Sequence, residues 1–152
     1  MENQLDPIDK RIMKELILNA RIPFVKLASK LKVSNTLIHQ RMKKMNALGI
    51  ISHPTFRIKP AKLGYETSSY TSIILENSKM ISRVEKELAK IPEVVECVNI
   101  SGRYALLVKV YAKNNKHLRD IIYDKIHTID GVEGTNSTIS FETAFIRNVP
   151  LG

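Results

Sequence analysis

Apolar residues recur along this chain with two different periods, and the change of period divides it. From Leu5 to Ile51 they return at every third and fourth position, as on one face of a helix. In LDPIDKRIMKELILNA, Ile8, Ile12 and Leu16 form such a stripe, with Met13 one turn round. Asp6 is placed to cap this first helix, Pro7 sits where its missing N–H costs nothing, and Asp9 lies in the first turn, where a negative charge is favoured. Pro23 opens a second, short helix, PFVKLASKLK, whose stripe is Phe24, Leu27, Ala28 and Leu31. The stretch VSNTLIHQRMKKMNALGII predicts a third helix that begins at Ser34, stops at Gly49 and buries Ile38, Met42, Met45 and Leu48. Only a few residues around Lys32 and Val33 separate the second helix from the third, so the two must cross sharply, as in a helix-turn-helix. Such turns usually need glycine where φ is positive. Lys32 stands there instead, at an expected strain of about 1 kcal/mol.

Beyond Ile51 the pattern changes. IISHPTFRIKPAKLG alternates around two prolines and predicts a strand and hinge ending at Leu63-Gly64. After it, YETSSYTSIILEN, VVECVNI, YALLVKVYA and GVEGTNSTISFETAFI have strand character, with Ser101-Gly102 making a hairpin of the middle two. SKMISRVEKELAKI is helical, with Ile81, Val84, Leu88 and Ile91 on one face and Pro92 ending it; NKHLRDIIYDKIHTI is the second such helix, with Leu118, Ile121, Ile122, Lys125 and Ile129 on its stripe. The order βαββαβ gives a ferredoxin-like, four-stranded antiparallel sheet with both helices on one face. The fold class is α+β: a helix-turn-helix over residues 1–50, a strand and hinge linker over 51–64, and a ferredoxin-like domain over 65–152. The strands carry apolar residues at both parities, among them Val95, Val98, Ile100, Ile139, Phe141 and Phe145, so the face without helices is expected to be covered by a second copy in a two-fold dimer.

Charge gives the first module a partner. Residues 1–60 hold 12 Lys and Arg against 4 Asp and Glu, whereas residues 61–152 hold 12 against 11. A basic module joined to a nearly neutral one predicts a polyanion-binding part and a part with another task. The third helix has no acidic residue. Lys30, Arg41, Lys43 and Lys44 are expected at phosphates, and Asn35, Thr36, His39 and Gln40, in its first turns, near base edges of double-stranded DNA. The alternative for this segment is an ordinary three-helix bundle with a solvated basic face. Nothing predicts catalysis: there is no Ser/His/Asp or Cys/His order and no glycine-rich phosphate loop. Cys97 is expected to pack in its apolar run. His53 on the hinge has no second ligand spaced near it, and His117 and His127 are expected at the surface, so neither metal nor cofactor is predicted. No apolar run approaches the roughly 20 residues of a membrane span, and MENQLDPIDK has no apolar signal core, so a cytoplasmic protein with no membrane contact is expected.

Over its whole length the chain resembles the Lrp/AsnC family of leucine- and asparagine-responsive regulators. The resemblance is carried by LDPIDKRIMKEL, ARIPFVKLASKLKVS and QRMKKMNALGII leading to KPAKLGY, then by IPEVVECVNISGRYALLVKV and IDGVEGTNSTISFE, in that order and spacing. It implies a winged-type helix-turn-helix, a ferredoxin-like effector and oligomerisation domain, homodimers assembling into octamers or similar discs, and transcription control by an amino acid or related small-molecule effector. It also implies an effector site between dimers, at Gly102, Arg103, Tyr104 and Ala105 of the hairpin turn, with Thr135 and Ser137 of the last strand. Here the chain departs from the family's pattern. The family often has a Gly-Asp-aromatic-Asp pattern, whereas this turn is Gly-Arg-Tyr-Ala, and an arginine repels an ammonium and suits a carboxylate. Either the ligand differs or the turn serves assembly alone. A second reading of the whole chain is an amino-acid-sensing protein acting mainly by co-assembly with other regulators.

Overall fold

In the computed structural model, which describes residues 5–52 and 56–151, the chain forms two compact units. One holds the chain as far as Arg57 together with Ile146 onward, and the other holds Ile58–Phe145.

The first unit contains α1 (Pro7–Leu18), α2 (Phe24–Leu31) and α3 (Asn35–Ala47). Asp6 caps α1 in a reciprocal box with Asp9: each carboxylate accepts from the other's backbone N–H, at 3.0 and 3.2 Å. Ser34 caps α3 by accepting from Leu37 N–H at 3.1 Å. The three stripes meet in one core of Ile12, Met13, Leu27, Ala28, Leu31, Ile38 and Met45, against which Leu151 from the end of the chain also packs. Lys32 has φ 55, the left-handed conformation its position demanded, and among the described residues no other non-glycine has positive φ. Leu48 departs from expectation. It lies beyond the last turn of α3 and is 44% exposed, so the buried stripe stops at Met45.

The second unit opens with one 3-10 turn, Pro60–Leu63, followed by Gly64 at φ 81. Among the described residues of 51–64 there is no strand, and Pro60, which has no N–H to give a ladder, opens the turn instead; His53 and Pro54 lie outside the described residues. Then come β1 (Thr67–Leu75), α4 (Ile81–Leu88), β2 (Val94–Asn99), β3 (Leu106–Ala112), α5 (Asn115–Asp120) continued by a π turn (Ile121–Ile126), and β4 (Val132–Ser140). The sheet is antiparallel in the order β2-β3-β1-β4. Its core is the helix-covered face: Ile73, Leu106, Val108 and Val110 against Val84, Leu88, Leu118, Ile121 and Ile126.

Three expectations about this unit are corrected. First, β4 stops at Ser140, where pairing with β1 runs out, so Phe141 and Phe145 belong to an irregular tail in which Phe141 is 99% exposed. Second, the uncovered face is more polar than the apolar count suggested. Register puts Leu106, Val108 and Val110 under the helices and leaves Leu107, Lys109 and Tyr111 of β3 on the other side with Ser68, Tyr70 and Ser72 of β1. Lys109 is nevertheless only 8% exposed, its ammonium lying 5.0 and 5.4 Å from the centroids of Tyr70 and Tyr111. Third, Cys97 is exposed. It pairs with Val108, but β2 is an edge strand and its outer flank is open. Among the described residues no helix is long and apolar enough to cross a membrane.

Candidate nucleic-acid interface and ligand pocket

The cap at Ser34 fixes where α3 begins, and the burial of Ile38 and Met45 fixes which way it faces. Asn35, Thr36, His39, Gln40, Lys43 and Lys44 are all exposed, so five of the expected contact residues share the outward surface of the first two and a half turns with Lys44 just beyond. His39 stacks edge-on against Phe24 of α2, with centroids 4.9 Å apart, which holds its ring at one side of that surface.

The other expected contacts are differently occupied. The Arg41 guanidinium pairs with Asp6 and lies 3.6 Å from Asp9, whose side chain is fully buried; Lys44 approaches the same Asp9 oxygen at 3.9 Å. Lys30 pairs with Glu15 of α1. The hydrogen bond from Asp9 N–H, with the charge of Arg41 beside it, holds the Asp6 carboxyl below its ordinary range despite some burial. Asp6 at the N-cap of α1 and Asp9 in its first turn therefore fasten α3 through Arg41, while Lys43 has no ion-pair partner among the described residues.

At one end of the sheet lies a cavity of about 360 Å³ lined by Gly102, Arg103, Tyr104 and Ala105, and also by Leu75, Asn77, Ser78, Ile81, Asn99 and Ile100. Two backbone bonds pin the turn: Ile100 N–H to Ala105 O and Ala105 N–H to Ile73 O, both 3.0 Å. Gly102 has φ 106, which lets the chain reverse there. Thr135 and Ser137 do not line this cavity. Both lie on the helix side of β4, where Thr135 bonds His127 at 2.6 Å and Ser137 bonds Thr71 at 2.9 Å. The residue that β4 does bring to the turn is Asn136, one step along and on the opposite face, whose amide donates to the Tyr104 hydroxyl at 3.2 Å. Sequence reasoning missed Leu75, Asn77, Ile81 and Asn99. The topology held the signal, since in βαββαβ the chain leaving β1 must arrive beside the hairpin of β2 and β3.

His117 is half-buried rather than at the surface. Its ring lies 3.5 Å from Glu93, which also accepts from Lys125 at 3.0 and 3.1 Å. Burial pushes the Glu93 carboxyl up, but these hydrogen bonds and charges outweigh it and the net shift is downward.

Compared with known proteins, residues 5–46 match the AsnC-type helix-turn-helix domain and residues 68–150 match the Lrp/AsnC ligand binding domain. The chain is 32% identical over 147 residues to the regulatory protein AsnC of Haemophilus influenzae, covering 97% of this chain and 98% of that one. It is similar in structure to Escherichia coli AsnC, with TM-score 0.89, 30% identity and 97% and 99% of the two chains covered. A transcriptional regulator of Neisseria meningitidis, solved as a complex with L-Met, shares the fold at TM-score 0.88 and 19% identity over 97% of each chain.

Proposed function

The chain belongs to the Lrp/AsnC family of transcriptional regulators, and from that premise we propose that it binds specific double-stranded DNA sites through α3 and is modulated by a small molecule held at the hairpin turn. The observation that carries the DNA part is the exposed, acid-free outer surface of α3, on which Asn35, Thr36 and Gln40 stand ahead of Lys43 and Lys44. Amides and a hydroxyl in the first turns suit base edges, and the lysines suit phosphates. Arg41 and Lys30 are given a smaller share, because both are paired with α1 in the free protein. The helix-turn-helix reads DNA and the ferredoxin-like domain senses and assembles. The working form is a homodimer across the uncovered sheet face, where Tyr70 and Tyr111 hold Lys109, and two copies of α3 then address two half-sites. The effector part is supported by the cavity at Gly102–Ala105 and by analogy with the L-Met complex of the Neisseria regulator.

Retardation or anisotropy titrations at several salt concentrations test the DNA reading. Lys43→Ala should weaken binding to all sequences alike and make the slope of log affinity against log salt shallower by about one, as expected for a lysine that neutralises one phosphate. An unchanged slope would remove Lys43 from the interface.

A further inference from the structure

Resting on the reading of the uncovered sheet face as the homodimer interface, we infer that Lys109 forms an ion pair with the partner's Glu96, and that this pair, made twice, selects a second copy of this chain as the partner. Among the positions paired across the strands of the sheet, only these two side chains are ionised, and they are of opposite sign. Both stand on the face without helices. Glu96 is opposite Lys109 in the ladder of β2 and β3, and it arrives there through an irregularity. Val94 pairs with Val110 on the helix side, so in regular register Val95 would oppose Lys109. One extra residue shifts the alternation instead, and Glu96 turns outward beside the lysine.

Neither charge has an opposite charge within its own chain. The Lys109 ammonium lies against the rings of Tyr70 and Tyr111. Burial lowers its pKa, but hydrogen bonds with the two tyrosines outweigh this and the net shift is upward, so it stays charged. No carboxylate pairs with it among the described residues, and exposed Glu96 has neither a hydrogen bond nor an ion pair there. Covering the face with an apolar surface would strip water from both charges without compensation. A two-fold contact compensates both, because what one copy gives the other returns: Lys109 meets the partner's Glu96, and Glu96 meets the partner's Lys109. A chain with like charges at these positions is rejected by repulsion.

Sedimentation velocity of the full chain over a concentration series, read as the dissociation constant of the two-copy unit, tests this. Glu96→Lys and Lys109→Glu should each weaken self-pairing at least about tenfold. Mixed together, with an affinity tag on one of them, they should form mixed pairs at least about tenfold more tightly than either pairs with itself, since both bridges re-form with the charges exchanged. A Lys109→Glu chain that had only lost its fold would not be rescued in this way. Ser72→Arg places a bulky cation on the same face, away from the pair, and should disrupt the dimer by itself. If Ser72→Arg disrupts the dimer, but Glu96→Lys pairs with itself as tightly as the parent or the mixed pairs form no better than the self pairs, this inference is overturned while the face remains the interface. If Ser72→Arg pairs as the parent does, the reading of the face falls and the inference falls with it.

Discussion

Gly131→Val should destabilise the ferredoxin-like unit by about 2 to 5 kcal/mol, the sum of a left-handed backbone forced on a branched residue and an overpacked contact. Gly131 has φ +97, and a Cβ built on it would lie 2.7 and 2.9 Å from the Cε and Cβ of Met80. The glycine lets the chain turn into β4 against the short helix that precedes α4, and Glu76 N–H bonds its carbonyl at 3.1 Å. All five tyrosines fall between Tyr65 and Tyr123 and there is no tryptophan, so tyrosine fluorescence in urea reports this unit alone. Gly134→Ala is the control: it lies in β4 without positive φ and with nothing within 4 Å of an added Cβ, so it should change stability little. Adding Met80→Ala to the variant removes the Cε and Cγ contacts but keeps the Cβ, so it should return only a part of the packing loss and leave the backbone part. If Gly131→Val unfolds at the same urea concentration as the parent, the turn into β4 is not held as described.

Arg41→Ala should cost the helix-turn-helix unit about 2 to 4 kcal/mol, near the lower end for breaking a buried ion pair because Lys44 remains close to Asp9. The side chain of Asp9 is fully buried, and without Arg41 much of its compensation is gone. Far-UV circular dichroism should show an earlier helical transition while the tyrosine transition stays in place. The rescue is specific: Arg41→Ala with Asp9→Asn should be more stable than the two single losses added together, because the charge left unpaired has been removed. A phosphate contact would behave otherwise. If Arg41→Ala leaves the transition unmoved and only weakens DNA binding with a shallower salt slope, Arg41 belongs to the interface and not to the clamp between α1 and α3.

Elements were legible in the sequence where one face alone is buried. The stripes of α1, α2 and α3, the side-chain caps of α1 and α3, and the left-handed Lys32 follow from spacing and from what a short turn demands of its backbone. Where pairing or helix width decides, spacing is silent. The second helix of the sheet domain shows this. An α-helical continuation places Lys125 on the stripe, but the chain widens into a π turn, closed by His127 N–H to Ile122 O at 2.9 Å, which buries Ile126 and turns Lys125 to Glu93. The uncovered face is a second case: β3 is apolar at almost every position, so only its register against β1 tells that Lys109 and its two tyrosines face out. At the candidate DNA interface the residue types were legible but their partners were not, since nothing in the spacing says that Asp6 and Asp9 reach Arg41 from 35 residues away in the case of Asp6. At the cavity the turn was legible as a motif. Its wall is assembled from the ends of β1 and β2 and the start of α4, which meet only in the fold.

Reading of base edges by the first turns of α3 is tested most directly at Gln40. Anisotropy titrations of the parent and of Gln40→Ala are made at one salt concentration, on a duplex selected from a random pool by the parent and on a scrambled duplex of the same composition. If the Gln40 amide makes a bidentate pair with a base, Gln40→Ala should weaken the selected duplex by about 5- to 150-fold, equivalent to about 1 to 3 kcal/mol, and leave the scrambled duplex within about twofold. An equal weakening on both duplexes, or none on either, would contradict it.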